Sequence, residues 1–170
     1  MSTDTIINKV QQSGLITIDL EDYFDSGEKV LFDIKNYLHE GIILKEKDFR
    51  AFLKEHNWEQ YAGKNVAITC SVDAIIPTWA YMLVTTKLQP YANLIVFGTL
   101  KDLHAKIFSQ AITKINAADY TQAKVVIKGC GKLEVPVSAY VELTNKLLPV
   151  VSSIMYGEPC STVPVYKQLK

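Results

Sequence analysis

Three residues in this chain have the chemistry of soft-metal ligands or nucleophiles: Cys70, Cys130 and Cys160. Cys70 opens the stretch CSVDAIIP, a polar loop leading into a helix start. A helix N-terminus carries about half a positive charge and favours a thiolate. Cys130 lies between Gly129 and Gly131 in KGCG, where the absence of neighbouring side chains leaves room beside the backbone. Cys160 lies in GEPCSTVP, where Pro159 and Pro164 restrict the chain and lower the cost of ordering it. Three thiolates at one point could hold Zn²⁺, iron or an iron–sulfur cluster, with a carboxylate, imidazole, water or client as fourth ligand. Asp73 and Glu158 are the carboxylates nearest these thiols in the chain. The cysteines are widely spaced and contain no C-x-x-C pair, so the motif is weak. Two other readings stand beside it: one reactive thiol, or cysteines acting as small buried hydrophobes.

The elements that would position these thiols follow from periodicity. NVAITC (65–70), LIVF (94–97), AKVVI (123–127) and VVSSIMY (150–156) are short β-branched runs that read as buried strands. Between them lie helical patterns near 77–88, 100–115 and 137–148. Pro77 suits a first helical turn. Thr99 is a candidate N-cap, and Leu103, Ile107, Ala111 and Ile115 form a stripe. The 77–88 helix carries Lys87 as its one charge and is expected to be buried on most sides. Alternation of strand and helix predicts an α/β fold, a mainly parallel sheet with helices on its faces. Strands of such a sheet point one way, so Cys70, Cys130 and Cys160 are expected at its carboxyl edge, where open α/β sheets place ligands.

Residues 1–63 are less regular and are expected to form an N-terminal α+β segment packed on the 64–170 core, within a single domain 1–170. LITIDL alternates as a strand would. FDIKNYLHEG reads as a short helix, or as part of a strand because Val30, Phe32 and Ile34 alternate. KEKDFRAFLKEHNW is a helix with Phe49, Phe52, Leu53 and His56 on one side. No low-complexity segment, linker or clear repeat is evident.

Other residues weigh toward structural roles. His39, His56 and His104 fall on expected helices, away from the sheet-edge loops. Trp79, Tyr81 and Met82 read as core rather than a cofactor box. Lys128 would lower the pKa of a neighbouring Cys130 thiol, but a solvated strand-end lysine is the simpler reading. Glu142 is expected to face water.

Eighteen basic and eighteen acidic residues cancel, which argues against a broad nucleic-acid surface. No apolar run reaches the ~18–20 residues of a membrane span, and the N-terminus lacks a signal-peptide core, so a cytoplasmic protein is expected. Phosphate-loop, dinucleotide, nucleophile-elbow and H-E-x-x-H motifs are all missing, and no His–Asp partner for a thiol is evident, so the balance leans away from an enzyme.

The stretches IILKEKDFR, VAITCSVDAIIPTWAYML, VVIKGCG and SIMYGEPCSTVPVYK resemble an uncharacterised family of small Bacteroidetes proteins, the domain of unknown function 2480, over nearly the full length. That resemblance implies an association with SUF-type iron–sulfur assembly proteins. The expected function is a non-enzymatic metal- or sulfur-handling accessory. A thiol-dependent enzyme or sulfur carrier, and an interaction module with structural cysteines, are the alternatives.

Overall fold

The computed structural model describes residues 14–128 and 131–169. The elements run β1 (Leu15–Asp19), β2 (Lys29–Asp33), α1 (Glu46–Glu55), β3 (Asn65–Thr69), α2 (Thr78–Leu88), β4 (Leu94–Phe97), α3 (Leu100–Thr113), β5 (Lys124–Lys128), α4 (Val137–Leu147), β6 (Ser153–Glu158) and β7 (Ser161–Lys167). Single turns of 3-10 helix follow β1 and β2 and precede β3 and β5. The protein is mixed α/β, with mostly parallel sheets.

The strands do not join one sheet. β2-β3-β4 form one parallel sheet, and β1-β5-β6-β7 form another, with only β7 antiparallel. Two compact units result. The inserted unit is Asp25–Lys106, and the split unit draws on Met1–Phe24 and Ile107–Lys170. Segments on both sides of residue 63 therefore contribute to each unit. Strand periodicity shows where strands are but not which ones pair. Here each central strand takes its own early partner, and a polar clasp marks each match. Asp33 at the end of β2 accepts the Ser71 amide just beyond β3 at 3.1 Å. Asp19 at the end of β1 meets Lys128 at the end of β5 at 3.0 Å.

The inserted unit has an aromatic core. Phe32 is 2% exposed and lies within 5.5–6.4 Å, centroid to centroid, of Tyr37, Phe52, His56, Trp58 and Tyr61. The core of the split unit is mostly aliphatic, built on Leu20, Ile112, Leu143, Leu147 and Ile154 around Phe108. The expected face of α1 is borne out: Phe49 and Leu53 are buried, with Phe52 packed against them. The expectation for α2 is not. Only Ala80, Val84 and Leu88 are buried, while Met82 on the outer face is 64% exposed. A shortage of charge on a helix does not by itself mean burial, because threonines and Met82 hold the outer face.

The two units repeat one another, which sequence inspection missed. With an offset of fifty-nine residues and no gap, α2 falls on α4 and β3 on β5, residue for residue. Buried Ala80, Val84 and Leu88 match buried Ala139, Leu143 and Leu147. Pro77 and Pro136 each precede their helix, and their carbonyls accept from Ala80 and Ala139, both at 2.9 Å. Asn57 and Asn116 each cap the 3-10 turn before the central strand. Phe49 on α1 and Phe108 on α3 are both buried. At an offset of fourteen, Asp33 and Asp19 each end a first strand and cap the turn that follows it. The repeated hydrogen bonds show that the duplication is one of backbone geometry. Identical residues are too scattered to advertise it.

Candidate functional site

At the carboxyl edge of the inserted sheet, Asp33 is the organising residue. Its carboxylate is 9% exposed, accepts the amides of Lys35 at 3.0 Å and Ser71 at 3.1 Å, and lies 3.5 Å from the Lys35 ammonium. Burial raises the pKa of Asp33, but the hydrogen bonds from Ser71 and Lys35 and the Lys35 charge outweigh it, and the pKa ends below the ordinary value. Cys70 follows β3 directly. It is half-buried, and its thiol donates to the Val72 carbonyl at 3.7 Å. The pKa of the Tyr81 phenol on α2 is raised, first by burial and then by the charge of Asp33 and of Cys70 when that is ionised. The group at this edge is thus one thiol, one carboxylate and one protonated phenol.

The carboxyl edge of the split sheet is built differently. Lys128 ends β5 and lies 3.0 Å from Asp19 and 3.6 Å from Glu158 at the end of β6. The Asp19 bond, reinforced by both negative charges, raises the Lys128 pKa. Burial pushes Asp19 up, but the Lys128 bond and the Glu21 amide leave it lowered. Beside them, Oε1 of Glu21 is buried and has no hydrogen-bond partner among the described residues. Its carboxylate packs so closely on Gly131 that any side chain there would collide with it.

Cys160 does not sit in a stiffened tail. β6 turns back through Pro159 and Cys160 into antiparallel β7, with Glu158 opposite Ser161, so Cys160 is exposed at the tip of a hairpin. Alternating residues in STVPVY and the short turn were the available signals, obscured by Pro164, which an edge strand tolerates. The structure therefore puts Cys70 on the inserted sheet and Cys160 on the split one. Cys130 lies outside the described residues. Asp73 is exposed in the loop after Cys70, and Glu158 is exposed and engaged with Lys128. Among the described residues no three His, Cys, Asp or Glu side chains are grouped to hold a metal ion.

His56 has the structural role expected of it. It sits 3.1 Å from the Tyr61 hydroxyl, packs on Phe52 and Trp58, and has its pKa lowered by burial. Thr99 caps α3 as expected, its hydroxyl accepting the Asp102 amide at 3.4 Å, and the Asp102 carboxylate in turn accepts the Thr99 amide at 2.7 Å. Sequence reasoning passed over Asp33, Tyr81 as a polar group, and Glu21. Asp33 had a signal in its strand-end position before a turn, but Glu21 had none.

Residues 4–168 match the family described as protein of unknown function (DUF2480). The chain belongs to that family. No curated protein and no solved structure matches it. This DUF2480 protein has, among its described residues, no helix long and apolar enough to cross a membrane.

Proposed function

We propose that this DUF2480 protein is a non-enzymatic metal- or sulfur-handling accessory in cytoplasmic iron–sulfur cluster biogenesis, using Cys70, Cys130 and Cys160 toward SUF-type assembly proteins. The observation that carries this reading is the buried Glu21 oxygen, which packs against Gly131, the residue after Cys130, with no donor among the described residues. A buried carboxylate oxygen without a donor is costly unless a cation or a proton satisfies it. It adds to Asp73 and Glu158 a third carboxylate able to complete a thiolate set around zinc or iron. The Cys70 thiol bonds to a backbone carbonyl, not to a base, which is the arrangement of a ligand more than of an activated nucleophile.

Metal and acid-labile sulfide should be measured on untagged protein purified without oxygen, in wild type, Cys70→Ser, Cys130→Ser, Cys160→Ser and Glu21→Gln. The reading expects bound zinc or iron in wild type and a substoichiometric content in each cysteine variant, because a hydroxyl is a poor soft-metal ligand. Wild type free of metal and sulfide, or unchanged content in all three cysteine variants, rules it out.

A further inference from the structure

The repeat gives each unit the same open apolar groove. In the inserted unit, Thr78, Tyr81, Met82, Thr85, Thr86 and Phe97 line about 570 Å³ between α2 and β4. Fifty-nine residues on, Val137, Tyr140, Val141, Thr144, Asn145 and Tyr156 line about 630 Å³ between α4 and β6. The ring pairs match as well: Tyr81 meets Phe97 edge-on at 5.1 Å, and Tyr140 meets Tyr156 edge-on at 5.6 Å.

One difference separates them. In the split unit, β7 runs antiparallel along the outer edge of β6, and Val165 adds to the lining of the groove. Ile154 pairs with Tyr166 and is 1% exposed. In the inserted unit the sheet ends at β4 among the described residues, and Ile95, the counterpart of Ile154, is only half-buried. The Gly98 amide donates to Ile68 on β3 at 3.0 Å, and amides alternate along a strand, so those of Ile95 and Phe97 point away from β3. Edge strands are usually blunted by charge, proline or a bulge. β1 ends on Asp19, β2 carries Lys29 and Asp33, and β7 carries Pro164 and Lys167, whereas β4 is LIVF.

We propose that β4 pairs antiparallel with β4 of a second copy of this chain, about a two-fold axis perpendicular to the sheet. β7 shows that the equivalent edge accepts an antiparallel strand. That axis keeps both α2 helices on one face, each closing the other's groove. Charge argues for self-pairing, since an isologous contact brings a patch against its own image. α2 and β4 together carry Lys87 as their one charge, in the last turn of α2, and Phe97 and Met82 are 70% and 64% exposed. A helix ~16 Å long beside a strand edge ~13 Å long gives a footprint on the order of 300 Å². A standard interface buries about 800 Å² a side, so the dimer is weak and depends on concentration. This inference is independent of the thiol reading.

Sedimentation or light scattering over a range up to roughly millimolar protein tests it. The mass should rise from 19.1 kDa toward twice that value. Met82→Glu and Phe97→Lys, both at exposed positions and checked for folding by circular dichroism, should weaken association about tenfold or more. Val141→Glu, at the matching position of the split unit, should associate as wild type does. A wild type that stays monomeric throughout, including one that instead binds an extended peptide, overturns the proposal. So does a dimer that survives both inserted-unit variants or is lost in Val141→Glu.

Discussion

Gln122 repeats at φ 59° the left-handed turn that Gly63 makes at φ 71°. Each amide donates to the matching carbonyl of its unit, Gly63 to Tyr91 at 3.0 Å and Gln122 to Val150 at 2.7 Å. Glycine adopts this conformation freely, whereas a residue with a Cβ is strained by roughly 1 kcal/mol. Gln122→Gly should therefore raise stability by up to about 1 kcal/mol, and Gly63→Ala should lower it by a similar amount. Urea unfolding of both variants is the measurement, and a destabilised Gln122→Gly would refute the equivalence.

Asp33 should make the fold sensitive to acid. Its native pKa lies below the ordinary carboxylate value, so its contribution is fully present above that ordinary value. The contribution is lost as pH falls through the lowered native pKa. Asp33→Asn should cost about 1–2 kcal/mol at neutral pH. The gap to wild type should narrow as pH drops below about 4. An equal gap at pH 7 and in strong acid would show that the charge of Asp33 contributes nothing.

Gly157 holds the β6–β7 hairpin in register. Its φ is 118°, and a Cβ there would meet the Ser161 carbonyl at 2.7 Å. Gly157→Ala should cost about 1–3 kcal/mol, the range for backbone strain at a fixed site. The equivalent Gly98, at φ 132°, crowds instead on the Asp102 side chain. Gly98→Ala should also disturb the α3 cap, giving faster hydrogen exchange in the first turn of α3.

The two described thiols should differ in access. Cys160 is exposed at a hairpin tip, and Cys70 is half-buried with its thiol turned to Val72. Limiting iodoacetamide followed by peptide mapping should label Cys160 ahead of Cys70 in the folded protein, and denaturation should erase the difference. Faster labelling of Cys70 would mean that its surroundings activate it strongly enough to overcome burial.

The sequence made local elements legible and pairing illegible. The β3, α2, β4, β5 and α4 patterns fall within a residue or two of their observed bounds, because apolar period and flanking prolines are local signals. That β5 pairs with β1 and not with β4 depends on contacts across the whole chain, such as Asp19 with Lys128. Cys70 was legible as a strand-end thiol. The Asp33 clasp around Ser71, and the burial of one Glu21 oxygen, depend on a neighbouring strand or loop and have no short-range signature.

The placement of the inserted unit within the chain has a kinetic consequence. Lys29 finds its partner Asn65 within one contiguous stretch, whereas Leu15 must wait for Lys124, with the entire inserted unit between them. Closing the longer loop costs more chain entropy and slows pairing. The inserted sheet should therefore form first, during synthesis as well as on refolding, while β1 waits unpaired for β5. Pulsed hydrogen exchange during refolding should protect β3 amides before those of β1, which pairs with β5 alone, and simultaneous protection would mean that the two sheets form as one cooperative event.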